Sequence, residues 1–190
     1  MRTAMLFIDG SNVFYDWQYL HRNNKADMDI VKYISHVKSL FPDTVFKRTY
    51  YFTAASEENS SFLQFLSRLP YMEVITGRLQ EKQIYLAKYE LSCSNCKTHI
   101  TDTVVTQVDK GTDVNIAVKM LQHAFNRSYD LAILISRDAD FVSVVDVIKD
   151  LGLNVETVFF EGAVKAQELS EHVDATKIIH TSDLPSLART

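Results

Sequence analysis

Ala4-Met5-Leu6-Phe7-Ile8-Asp9-Gly10-Ser11-Asn12 is the stretch that decides how this chain reads. Five consecutive apolar residues with no polar alternation predict a central strand covered on both faces, because a strand with one wet face would alternate. The Asp-Gly-Ser-Asn that follows is a strand-to-helix turn with a carboxylate at its head. Open α/β sheets bind their ligands at this edge, beyond the carboxyl ends of the strands. Asp9 is therefore the first candidate functional residue.

Outward from that strand the pattern alternates. Helices are predicted from about Asn12 to Arg22 and from Met28 to Leu40, the latter opened by Asp27 or Asp29 and stopped by Phe41-Pro42-Asp43. Thr44 to Thr53 and Met72 to Thr76 read as strands around a helix that starts near Ser56 and ends near Leu69-Pro70. Farther along come a helix (Val114 to Phe125), a strand (Leu131 to Ile135), a helix (Phe141 to Leu151), a strand (Asn154 to Phe160) and a short helix from Val164. Ile178-Ile179 suits a last edge strand, and 181–190 is a polar tail expected to fray. The alternation predicts one α/β domain over 1–180, a Rossmann-like parallel sheet with helices on both faces. Residues 78–109 interrupt it. There Gln83 to Leu91 and Ile100 to Val108 flank the turn Ser92 to Lys97, which predicts an inserted β-hairpin arm.

Two more segments put acids at the edge where Asp9 ends. They are Lys110-Gly111-Thr112-Asp113-Val114, opening a helix, and Ser136-Arg137-Asp138-Ala139-Asp140-Phe141, following a strand. Each acid alone has a plain explanation as a turn, first-turn or N-cap residue. Together they imply more, because the strands ending at Asp9 and Ile135 flank the crevice where a doubly wound sheet reverses direction. Four carboxylates crowded there repel one another unless a cation joins them. Hard oxygen ligands select Mg²⁺ or Mn²⁺, whose natural use at such a site is phosphodiester chemistry.

In this order and spacing the segments resemble the NYN domains, of the LabA-like branch, within the PIN-like metal-dependent nucleases. The likeness runs from about Ala4 to Ile179: Asp9 and Asn12 after the first strand, Asp113 after a Lys-Gly pair, and Asp138-x-Asp140-Phe141 after the fourth parallel strand. It implies a sheet of order 3-2-1-4-5 and Mg²⁺- or Mn²⁺-dependent cleavage of RNA. Asp9, Asp113 and Asp138 are expected as direct or water-mediated ligands, with Asp140 farther out or on a second metal. Asn12 is expected to orient substrate or a metal-bound water, Ser136 to hydrogen-bond within the cluster, and Lys110 and Arg137 to contact phosphate. Arg137 departs from the pattern, since many relatives carry a small residue such as Gly there.

Composition sets the bounds. With 190 residues, 46% of them apolar, the chain can bury a full core. It holds no run of roughly eighteen apolar residues and no signal-peptide core, so a soluble cytoplasmic protein without a membrane partner is expected. The net charge of −4 at first argues against RNA, yet 17 Lys/Arg balance 17 Asp/Glu over 1–149, and the deficit lies in 150–190. Metal-dependent attraction for phosphate is compatible with that distribution.

Other features carry less. Cys93-x-x-Cys96-x-x-His99-x-x-Asp102 has the residue types of a Zn²⁺ site, but structural zinc usually draws ligand pairs from two separated segments, so reduced thiols on a hairpin tip are the plainer reading. His21, His36, His123, His172 and His180 follow no pairing rule and read as surface or amphipathic-face residues. Phe14, Tyr15, Trp17 and Tyr19 suit nucleobase stacking, although helical spacing assigns most of them to the core; Trp17, beside Asp16, is the one expected to be partly exposed. The leading expectation is a ribonuclease. Its competitor is a catalytically silent metal- and RNA-binding regulatory or protein-interaction module, acting through the hairpin arm on a protein or RNA partner; the arm also suits a homo-oligomer contact. An aspartyl-phosphate phosphatase would need Asp at position 11 and an adhesion-type metal site Ser at 13, where Ser11 and Val13 stand.

Overall fold

In a computed structural model of the protein, which describes residues 1–22, 26–85, 94–96, 103–163 and 167–189, the apolar run is the middle strand of a seven-stranded sheet. β1 (Arg2–Asp9) lies between β2 (Thr44–Ala55) and β5 (Leu131–Ile135), parallel to both. Its residues alternate between two cores. Ala4, Leu6 and Ile8 face α1 (Gly10–Leu20) and α2 (Ile30–Ser39), where Val13, Trp17, Tyr33 and Val37 are buried. Met5 and Phe7 face α4 (Thr112–Phe125) and α5 (Val142–Asp150), against Ile116, Met120, Val145 and Ile148. Burial on both sides is why the run shows no period of two.

From β1 the sheet grows in both directions, through β2 to β3 (Met72–Tyr85) and through β5 to β6 (Asn154–Phe160). These five strands are parallel and stand in the expected 3-2-1-4-5 arrangement. The full order is longer at each edge: β7 (Ala175–Ile179) adds in parallel beside β6, and β4 (Thr103–Lys110) adds antiparallel beside β3. α3 (Ser60–Ser67) and α6 (Gln167–His172) complete the helical layers. No helix among the described residues is long and apolar enough to cross a membrane.

Two expectations change. The hairpin is no separate arm at its base: strand three runs on without a break from Met72 to Tyr85, and Arg78 to Tyr85 pair with Lys110 to Thr103. Its farther part, with Cys93, His99 and Asp102 of the zinc expectation, lies outside the described residues, and Cys96 is exposed. The described part of the tail, residues 181–189, is docked rather than frayed. α7 (Leu184–Leu187) packs on α2, Leu187 is buried, Arg189 N–H donates to Asp27 O at 2.7 Å and Asp29 N–H to Leu187 O at 2.8 Å. Asp29 is the residue that caps α2, its Oδ1 accepting from Val31 and Lys32 N–H.

Candidate active site

Asp9 closes β1 and opens α1. Its extended backbone and an Oδ1 that accepts from Asn12 N–H at 3.1 Å make it an N-cap, so the plain reading of this residue holds. It does more than cap. Oδ2 accepts from Asn12 Nδ2 and from Ser136 Oγ, the latter at 3.0 Å from the neighbouring strand end, and the residue is 2% exposed. Burial pushes the Asp9 carboxyl above the usual carboxylate range; hydrogen bonds from Asn12 and Ser136 pull it back, and Asp138 repels it. Gly10 makes this approach feasible, because a Cβ there would come within 2.6 Å of the buried Tyr51 ring.

The second loop joins the first by hydrogen bonds. Ser136 Oγ also accepts from Asp138 N–H at 3.2 Å, and Asp138 Oδ1 accepts from Asp140 N–H at 2.9 Å, capping the 3₁₀ turn Ala139–Phe141. A continuous chain therefore runs from Asn12 through Asp9, Ser136 and Asp138 to Asp140, crossing from β1 to β5 at the point where the sheet reverses direction.

α4 brings the third acid. Gly111 has a φ of +89°, which only glycine adopts without strain, and this turns β4 into the helix so that Asp113 falls in its first turn. Gly77 of β3 leaves room for that corner, where Thr112 Oγ donates to Asp109 Oδ1 at 2.7 Å. Asp113 is exposed, yet its carboxyl is pushed up to about 6 by partial burial and then by repulsion from Asp9, Asp138, Asp109 and Asp140. Five acids thus share one electrostatic neighbourhood. Asp109 was not singled out from the sequence, since it sits in a strand one residue ahead of the Lys-Gly pair and only the sheet register brings it here.

Asp16 was also missed. It sits on α1 at 6% exposure, with Oδ1 3.0 Å from Arg137 Nε, and its carboxyl is pushed up to about 6 by burial, lowered by Arg137 and raised by Asp9. Arg137, expected as a phosphate contact, is thus ion-paired at its inner end. Lys110 is exposed at the end of β4. Among the described residues no three His, Cys, Asp or Glu side chains are drawn together tightly enough to grip a metal ion. The acids crowd one another without forming a closed cage.

A cleft of about 980 Å³ runs beside this crevice, bordered by Gly10 and Ser11 and lined by Phe14, Tyr15, Phe62 and Phe65, but by none of Asp9, Asp113, Asp138 and Asp140. The aromatics of α1 reverse the expectation. Trp17 is the core residue, 3% exposed with Nε1 donating to Ala26 O, whereas Phe14, Tyr15 and Tyr19 are each about half exposed. His21 is buried too, stacked on Trp17, and His123 lies 2.6 Å from the Tyr50 hydroxyl, so neither is a plain surface residue.

A family model for the NYN domain matches residues 3–181. The chain belongs to the NYN domain family. Among solved structures, this NYN domain is similar to a protein of unknown function from Vibrio parahaemolyticus RIMD 2210633, at 17% identity and a TM-score of 0.61, over 94% of this chain and 93% of that one. At that identity the likeness concerns the fold. No curated protein matches the sequence significantly.

Proposed function

We propose that this NYN domain, as a member of the LabA-like branch, is a Mg²⁺- or Mn²⁺-dependent ribonuclease that hydrolyses RNA phosphodiester bonds at Asp9, Asp113, Asp138 and Asp140. The observation that carries this reading is the hydrogen-bonded chain that gathers Asp9, Asp138 and Asp140 where the sheet reverses direction, beside an Asp113 carboxyl pushed up first by partial burial and then by repulsion from these acids, a repulsion that a cation would relieve. The donor set fits. It is all hard oxygen, and an open arrangement suits Mg²⁺, which keeps several waters and takes one or two carboxylates, better than a metal that needs a tight cage.

Such an ion, held by Asp9, Asp113, Asp138 and Asp140, would supply water activation near neutral pH and would offset charge building on the scissile phosphate. The protein's own part is orientation. Asn12 and Ser136 hold Asp9, Ser136 links it to Asp138, and the cap on Asp140 N–H fixes the Asp138 side chain. Lys110 and Arg137 would meet the phosphates, and the segment joining β3 to β4 would extend the contact to RNA or to a second copy of the chain.

A second reading has one observation in its favour. Both Asp9 oxygens are already hydrogen-bonded and no metal cage is preformed among the described residues, as in a binding module that turns over nothing. Purified protein, incubated with single-stranded and structured RNAs in Mn²⁺, Mg²⁺ or EDTA, separates the two. The ribonuclease reading predicts cleavage in Mn²⁺ or Mg²⁺, none in EDTA, and a loss of at least about a hundredfold in Asp9→Asn and Asp138→Asn with circular dichroism unchanged. RNA binding without cleavage under every condition would favour the silent module.

A further inference from the structure

Asp16 has no place in the four-acid motif, yet the fold buries it at the crevice. A buried carboxylate needs a partner, and Asp16 has one in Arg137, whose Nε lies 3.0 Å from Oδ1. The pair spans the switch point: Asp16 belongs to the helix that Asp9 opens, and Arg137 stands between Ser136 and Asp138. The backbone at Arg137 is already held, because Ser136 bonds to Asp9 and Asp138 N–H to Ser136. What remains to be fixed is the direction of the long side chain.

The contact is an ion pair by distance but not a linear hydrogen bond, since the buried Nε–H finds no acceptor in line. The side chain keeps 24% of its exposure, and no hydrogen bond among the described residues takes its two terminal nitrogens. A guanidinium is a rigid planar fork, so holding one nitrogen sets where the other two point. An arginine free in solvent would spread over many rotamers and lose that entropy on binding.

We propose that Asp16 is a positioning residue, which holds the guanidinium of Arg137 so that its terminal nitrogens receive an RNA backbone phosphate beside Asp138. The inference rests on the ribonuclease reading and deepens it by assigning the phosphate contact of that site and the residue that aims it.

The sign of one substitution separates positioning from a field effect. Asp16→Asn removes a negative charge next to an anionic substrate; acting through the field alone, that would tighten RNA binding. Positioning predicts the reverse. Steady-state cleavage of one RNA oligonucleotide with saturating Mn²⁺ is measured for the wild type, Asp16→Asn, Arg137→Ala, Arg137→Lys and the Asp16→Asn/Arg137→Ala double variant. KM should rise about tenfold in Asp16→Asn and in Arg137→Ala, the loss of one charge-assisted hydrogen bond to phosphate, with kcat changed by less than about threefold. The double variant should be no worse than Arg137→Ala, because the two residues act as one unit. Arg137→Lys keeps the charge pair but not the fork, so it should melt like the wild type and still raise KM; it carries the test if Asp16→Asn fails to fold. A KM that falls or stays level in Asp16→Asn, a wild-type KM in Arg137→Lys, or additive losses in the double variant overturns the proposal. Absence of cleavage by the wild type is the failure of the ribonuclease reading itself, seen before any variant is compared, and the proposal falls with it.

Discussion

Asp9 serves two purposes with one side chain, as the cap of α1 and as the anchor of a hydrogen-bonded chain that ends at Asp140. Ser136 is the link on which that chain depends. It is 2% exposed, donates to Asp9 and accepts from Asp138 N–H, so Ser136→Ala would leave a buried carboxylate oxygen and an amide each short of a partner. Unfolding titrations should show a loss of about 1–3 kcal/mol, the ordinary cost of stranding buried polar groups, together with reduced RNA cleavage. Neutral stability would mean that solvent replaces the hydroxyl and that the two loops are not tied through it. The acids were legible at this scale because a strand-ending Asp, a Lys-Gly pair and an Asp-x-Asp each announce themselves locally. Asp16 and Asp109 were not, since their roles come from contacts across elements: Asp16 from an arginine 121 positions away, Asp109 from the crowding around Asp113.

Among the elements, α1 shows how a correct pattern can be read from the wrong anchor. At roughly 100° per residue, Gly10, Val13, Asp16, Trp17 and Leu20 form one stripe, and Phe14, Tyr15 and Tyr19 fall outside it. Helical spacing alone predicts a core place for most of the four, but the stripe that faces β1 runs through Val13 and Trp17 and leaves the other three half exposed. The hairpin was misdivided for a related reason. The sequence pattern ends strand three at Thr76, whereas the strand continues through Gly77, an interior residue of β3 where the α4 corner comes close. A Cβ at position 77 would collide with Thr112 Oγ and come within 2.7 Å of Asp109 Oδ1. Gly77→Ala should therefore displace the start of α4, cost about 1–3 kcal/mol in a melting experiment, and lower Mn²⁺-dependent cleavage by moving Asp113. Wild-type activity in a folded Gly77→Ala protein would separate Asp113 from the chemistry. The tail was read as polar although Leu184 and Leu187 lie three apart behind Asp183, a short-helix signal that the surrounding Thr and Ser obscured.

At the level of the whole molecule, the acid edge is a source of strain that pH and metal should both modulate. The Asp113 carboxyl moves from an ordinary value near 3.8 to about 6 in the folded protein, so between those values the native state binds more protons than the unfolded one. Stability from this group is therefore lost as pH rises through that window. Asp113→Asn cannot titrate, so in EDTA the wild type should match it near pH 4 and melt below it above about pH 6.5, by on the order of 1 kcal/mol or less given the group's exposure. Melting temperatures that keep the same gap from pH 4 to 7 would mean that neither burial nor the neighbouring acids raise the Asp113 carboxyl. On the proposed metal binding, saturating Mn²⁺ should reverse the order at pH 7, because an ion held by the native acids would stabilise the fold by mass action. The overall architecture was legible because hydrophobic runs and their spacing specify layers, while the open geometry of the acids follows from tertiary packing that no local pattern records. The central claim is that these carboxylates bind a divalent cation together, and calorimetric titration of the metal-free protein with Mn²⁺ tests it most directly. The account predicts saturable binding to the wild type, weakened by about tenfold or more in Asp9→Asn, Asp113→Asn and Asp138→Asn, and unchanged in Asp43→Asn, an exposed acid just before β2 at the opposite edge of the sheet. Absence of saturable Mn²⁺ binding, or equal affinity in all five proteins, would contradict it.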